Sequence, residues 1–82
     1  MIHYHGTPIT PQEELNKMVG KHFCVSFEDA RNVEWCVNHG QSVMLDNGAF
    51  SAFTKGKQID FKKYEQWIEP YLYPPNWAII PD

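Results

Sequence analysis

Ser42-Val43-Met44-Leu45-Asp46-Asn47-Gly48-Ala49-Phe50-Ser51-Ala52-Phe53 is the stretch that decides the fold. Val43 to Leu45 is an apolar run with no polar break. It reads as a strand buried on both faces, as in a parallel sheet under helices. The character then changes within one residue. Asp46, Asn47 and Gly48 are turn formers, and Gly48 permits a positive φ that other residues resist. An acidic side chain therefore stands just past the carboxyl end of a buried strand, where parallel α/β folds bind their ligands.

Working outward toward the amino terminus, Ile2 to His5 reads as a first strand and His22 to Phe27 as a second. Phe23, Val25 and Phe27 share one face of the second strand, with Cys24 and Ser26 on the other. A first helix starts at Thr10-Pro11-Gln12-Glu13, where Thr10 caps, Pro11 takes the first helical position and Glu13 completes a capping box. Leu15, Met18 and Val19 form its apolar face, and Gly20 ends it in a left-handed cap. A second helix has Ala30, Val33 and Val37 on its inner stripe, widened by Trp35 or Cys36. Ser26 with Asp29 is a second possible capping box, and Gly40 stops this helix as Gly20 stops the first.

Toward the carboxyl terminus, residues 46–58 form a long loop, with or without a helical turn around 49–53, and Lys55-Gly56-Lys57 is a turn. Asp60 caps a third helix with Phe61, Tyr64, Trp67 or Ile68, and Tyr71 or Leu72 on its buried side. Pro70 kinks or ends it. Trp77-Ala78-Ile79-Ile80 is a fourth apolar strand.

The order is β-α-β-α-β-α-β in a single domain spanning 1–82, an α/β class with a parallel sheet and right-handed crossovers. No covering helix follows the fourth strand, and an uncovered edge invites pairing. The expectation is the N-terminal half of a (β/α)8 TIM-like barrel, which when complete takes about 250 residues. The alternative is an open four-stranded parallel sheet. As a free-standing module it predicts a shuffled strand order such as 2-1-3-4, with an apolar patch on one side.

Composition limits the function classes. A chain of 82 residues buries about 60–65% of the surface its unfolded form exposes, so the core is small. Hydrophobic content of 43% and aromatic content of 15% exclude a disordered chain. The net charge is −3, and Lys62-Lys63 with Lys55 and Lys57 nearby is the densest basic stretch. That excludes a main nucleic-acid or anionic-membrane footprint, so any nucleic-acid contact falls to parts not present here. Cys24 and Cys36 lack zinc-knuckle spacing and read as reduced, buried cysteines of a cytoplasmic protein. The start is not a signal peptide, and no run approaches the ~20 apolar residues of a membrane span. No cofactor motif is present: there is no G-x-G-x-x-G, P-loop, G-x-S-x-G or H-E-x-x-H. The tryptophans at 35, 67 and 77 fit packing between helices and sheet better than a base-stacking platform.

Asp46 is the leading candidate for chemistry, with two readings. It is a turn residue whose carboxylate caps the backbone at Gly48 or Ala49, or it stands at a pocket rim as a hydrogen-bond acceptor or general base. Asn47 and Ser51 add neutral donors. Phe50 offers a flat face for stacking, whereas Phe53 reads as core. Asp82 stands after strand four as Asp46 stands after strand three. Adjacent strand ends lie about 5 Å apart, so the two carboxylates are expected to face one cavity, with oxygens within about 8–10 Å. Two carboxylates suit a substrate with several N–H donors, such as a guanine-like ring, and their repulsion raises one pKa unless a ligand or cation satisfies them. His3 and His5 share a face of strand one, a pair that in metal-dependent hydrolases of the amidohydrolase type binds zinc. His22 and His39 read as surface or helix-end residues, with His39 favoured by the helix dipole.

Leu45-Asp46-Asn47-Gly48-Ala49-Phe50-Ser51 resembles the Asp-Ser-Gly-Gly-Phe-Gln motif that follows a barrel strand in the tRNA-guanine transglycosylase superfamily. Asp46, Gly48 and Phe50 match by type and spacing, while Asn47, Ala49 and Ser51 depart. With Trp77-Ala78-Ile79-Ile80-Pro81-Asp82, the chain looks closer to a phage and prophage branch that includes relatives thought to put 7-deazaguanines into DNA. The resemblance implies a (β/α)8 barrel with Asp46 as a substrate-site acid, catalytic in a complete barrel. It also implies Phe50 as a ring near the bound base and Asp82 as a second base-recognising carboxylate. Ser51 stands where the family has Gln, which bears on base selectivity. The family nucleophile and zinc site come from later strands, so these residues are not expected to exchange a base by themselves. The expected partner is a guanine-like base or modified nucleoside, with a homodimer burying the two open edges. Behind this reading stand a non-catalytic α/β module that binds through its sheet edges, and a metal-hydrolase fragment using His3 and His5.

Overall fold

The computed structural model of the chain describes residues 2–48, 55–56 and 59–79. The elements follow the expected order: β1 (Tyr4–Gly6), α1 (Gln12–Asn16), β2 (His22–Ser26), α2 (Val33–His39), β3 (Ser42–Asp46), α3 (Phe61–Ile68), a short 3-10 helix (Glu69–Tyr71) and β4 (Trp77–Ala78). All strand pairs are parallel, and the sheet order is β1-β2-β3-β4. The architecture is α/β with an open four-stranded parallel sheet. The shuffled order expected of a free-standing module is overturned, because each strand pairs with its sequence neighbour.

Alternation along the strands sorts the side chains onto two faces. Register places Phe23 beside Val43 and Val25 beside Leu45. These four, with Leu15, Val33 and Cys36 from the helices, form the buried core, and all but Val33 are 0% exposed. Each large apolar side chain buried this way contributes about 1.5–3 kcal/mol. Trp67, Ile68 and Tyr71 pack against the same cluster. Helices α1, α2 and α3 thus cover one face of the sheet. The apolar run at Val43 is not buried on both faces: Met44, on the opposite side, is only half-buried.

The opposite face is concave. Trp77 Nε1 donates to the Tyr4 hydroxyl at 3.1 Å, and the two rings meet edge-on with centroids 6.1 Å apart. Tyr4 and Trp77 stand on the two outermost strands and two residues out of register, about 16 Å apart between Cα atoms on a flat sheet. Side chains rise roughly perpendicular to a sheet. The rings meet because the sheet bends toward this face.

Local details depart from the sequence pattern at several ends. Thr10 does not cap α1; Pro11, in extended conformation, occupies the cap, with no side-chain hydrogen bond. The helix stops at Asn16, four residues before Gly20, whose φ of +83° serves a turn that hands its N–H to His39 O at 2.9 Å. Ser26 does not cap α2. Its hydroxyl accepts from Glu28 N at 3.1 Å, within the turn that leaves β2. Asn32 takes the α2 cap position and spends its side-chain oxygen on Ile9 N at 2.7 Å, tying the loop after β1 to α2. Gly40 ends α2 in extended backbone at φ −81°, not in a left-handed cap. Its role is room: a Cβ there would lie 2.6 Å from Cys36 O and 2.9 Å from Phe23 Cδ2.

Helix α3 begins as expected, with Asp60 Oδ1 accepting from Lys63 N at 3.1 Å. Its buried stripe is Tyr64, Trp67, Ile68 and Tyr71; Phe61 and Leu72 are 41% and 51% exposed. The stripe reaches the sheet one turn after Phe61, and Leu72 falls beyond the 3-10 helix that carries Pro70. Phe27 closes the core against Tyr64 and Trp67, with ring centroids 5.6 and 5.4 Å away. The helical turn considered at 49–53, and Phe53 as a core residue, lie outside the described residues.

Candidate functional site at the carboxyl end of the sheet

Asp46 is the last residue of β3, not the first beyond it. Register puts Ser26 beside it on β2, and Asp46 O accepts from Phe27 N at 2.8 Å, so the ladder runs through this residue. By alternation its side chain shares the concave face with Cys24, Met44 and Trp77. Asp46 Oδ2 accepts from Gly48 N at 3.0 Å. The turn-capping reading of Asp46 is therefore what the structure displays. It occupies one carboxylate oxygen and fixes the carboxylate at the strand tip.

Gly48 is required twice over. Its φ is +73°, and a Cβ would meet Ser26 Oγ at 3.0 Å and Glu28 N at 3.2 Å. The turn after β3 is thus pressed against the turn after β2, and Asn47 between them is buried at 8% exposure. Lys55 Nζ reaches Glu28 Oε1 at 2.6 Å, binding the later loop to the same turn. Beside it, Arg31 grips Asp29 with Nε–Oδ1 at 2.9 Å and Nη2–Oδ2 at 2.6 Å. Those hydrogen bonds hold the Asp29 carboxyl below its usual range and push Arg31 up. Glu28 and Asp29 each face a cation, and Asp46 sits inside this rim.

The concave face supplies the rest of the site. Trp77, 42% exposed, aligns with Met44, so Asp46 lies one strand over and two residues toward the carboxyl end, about 8 Å away between Cα atoms. Trp77 is not packed between helices and sheet as its sequence setting implied; that role belongs to Trp35 and Trp67. With Tyr4 it forms an aromatic wall over the concave side. The available signal was the parity of Trp77 against Ala78, since Ala78 is the one of the pair packed on the core.

Cys24 forms part of the floor. Burial, then the negative charge of Asp46, raise its thiol pKa, so it stays protonated and un-nucleophilic near neutral pH. Both cysteines are free; Cys36 is fully buried and its thiol is pushed up to about 12 by burial, while Cys24 is only half-buried. At the amino end of this face His22 Nδ1 and Ser42 Oγ form a hydrogen-bonded pair at 2.5 Å. His22 is thus a strand residue of the concave face, not a surface or helix-end histidine. His39 is the exposed last residue of α2, with its ring 4.8 Å from Trp35.

His3 and His5 sit with ring centroids 4.5 Å apart. Register sets His5 beside Phe23, on the helix-covered face rather than the concave one. Among the described residues no group of three or more His, Cys, Asp or Glu is placed to hold a metal ion. Of the expected base-site residues, Asp46, Asn47 and Gly48 are brought together at one strand tip. Phe50, Ser51 and Asp82 lie outside the described residues, as does the expected approach of Asp82 to Asp46. No described helix is long and apolar enough to cross a membrane.

Compared with protein-family models, with curated proteins and with solved structures, the chain matches none.

Proposed function

We propose that this chain is a (β/α)-barrel segment that holds a flat, N–H-rich base of the guanine or 7-deazaguanine type on its concave face. The observation that carries the reading is Asp46 at the carboxyl tip of β3, one oxygen fixed by Gly48 N at 3.0 Å, on the face that carries the exposed Trp77 ring. Strands in sequence order with all helices on one face are the singly wound arrangement of barrels; doubly wound sheets carry helices on both faces. The bend shown by the Tyr4–Trp77 contact has the sense barrel closure requires. The proposed roles follow. Asp46 accepts from the base N–H groups, Trp77 stacks on its face, and Asn47 and Gly48 set the acid in place. The proposal also counts Phe50, Ser51 and Asp82 as candidate substrate-binding residues, from the resemblance. Base exchange needs a nucleophile that the resemblance assigns to later strands, so the proposal for these residues is binding.

The test is titration calorimetry of a 7-deazaguanine base into the chain and into Asp46→Asn. Asn keeps an oxygen for Gly48 N but turns an amide donor toward the base. Losing a charge-assisted pair costs about 1.5–3 kcal/mol, a ten- to hundredfold weakening. Equal affinity in the two proteins would confine Asp46 to its turn.

A further inference from the structure

We propose that two copies of this chain join edge to edge, β4 of each pairing in parallel with β1 of the other, so that eight strands close around one two-fold axis. The inference rests on the barrel reading of the sheet and names the occupant of its open edges.

Three observations carry it. The first is topology. The sheet ends in β1 on one side and β4 on the other, all strands run one way, and the sheet is already bent. Two such halves related by an axis along the strands keep every pair parallel, and the strand count becomes the eight of a closed barrel.

The second is shape. Beside β4 lies a groove of about 430 Å³, walled by Glu65, Ile68 and Leu72 on the helix side and by the β4 edge at Trp77 to Ile79. Its α3 wall stands on the helix-covered face of the sheet. His3 and His5 project on that same face of β1. A second copy's β1 laid along β4 therefore drives its two imidazoles into the groove. Its Ile2, 57% exposed, falls on the concave side beside Trp77.

The third is hydrogen bonding. Each imidazole of His3 and His5 carries an N–H donor whether neutral or charged, and the groove presents the exposed Glu65 carboxylate as an acceptor.

The experiment is sedimentation equilibrium of the chain, of Leu72→Glu, of Ile2→Glu, and of the two variants mixed. Leu72 and Ile2 are exposed, and circular dichroism is the check that each variant keeps its fold. The wild-type chain should run at twice its 9.6 kDa mass, and each variant alone as a monomer. The mixture should associate, more weakly than wild type, because a heterodimer keeps one seam intact while its other seam carries both glutamates. A monomeric wild type, a dimer unaffected by either variant, a mixture that stays monomeric, or species that grow without closing would each overturn the proposal. Base binding is read separately, by comparing wild type with Asp46→Asn, a substitution at neither edge strand.

Discussion

Trp77 Nε1 and the Tyr4 hydroxyl are hydrogen-bonded at 3.1 Å although the residues stand on opposite edge strands, 73 positions apart in sequence. The contact spans the concave face and joins the first strand to the last. Trp77→Phe keeps an aromatic ring and removes the donor. Because the pair is exposed, unfolding free energy should fall by about 0.5–1 kcal/mol. A double-mutant cycle with Tyr4→Phe should show coupling of similar size in urea titrations. Additive losses would mean that the two edges do not hold each other.

Tyr64 joins α3 to the sheet. It is 1% exposed, and its hydroxyl lies 3.0 Å from Leu45 O and 2.7 Å from Ile79 O. Tyr64→Phe leaves those carbonyls without this donor and should cost about 1–3 kcal/mol in chemical denaturation.

The same phenol makes a pH prediction. Burial first, and Asp46 second, push the Tyr64 pKa up to about 12 from 10.0. Tyr71 is pushed up to about 12, chiefly by its hydrogen bond to Glu34. The folded state therefore holds these protons more tightly than the unfolded chain. The linked stability is fully present below pH 10 and is lost as pH rises from 10 toward 12. Denaturation midpoints measured across that window should decline, and the decline should be shallower in Tyr64→Phe. A midpoint independent of pH there would contradict the buried setting of the phenol.

Two glycines separate conformation from space. Gly48→Ala forces a side chain into φ +73° and against Ser26 Oγ, so the left-handed strain alone should cost about 1–2 kcal/mol. Gly40→Ala meets no backbone objection but has Cys36 O and Phe23 Cδ2 in its way, and overpacking of this kind costs about 1–3 kcal/mol. Thermal unfolding of both variants checks the pair. Gly20→Ala, with open space and φ +83°, should show the conformational cost without a clash.

The fold was legible where the pattern was strong and local. Phe23, Val25 and Phe27 alternate with Cys24 and Ser26, and that period placed β2 and its core face. The short apolar run Val43 to Leu45 misled on burial, because a run of three residues does not say whether its second face meets helices or a hollow. Helix ends were poorly legible. Thr10, Ser26 and Gly40 carry the right chemistry for caps, yet Ser26 spends its oxygen on the local turn at Glu28 N, and Asn32 spends its own on a tertiary contact with Ile9 N that sequence spacing does not encode. Asp46 was found because turn formers follow it. Trp77 was missed as a site residue because its facing depends on which side the helices take, a property of the assembled sheet.

The proposed base site on the concave face is tested most directly by amide chemical-shift mapping of the chain with 7-deazaguanine base, with an adenine base as the control. The predicted result is saturable perturbation at Ser26, Asp46, Asn47 and Gly48 and at the Trp77 indole N–H, weak or absent with adenine, and shifted to ten- to hundredfold higher base concentration by Asp46→Asn. Perturbation confined to the helix-covered side, or none that saturates, would contradict it.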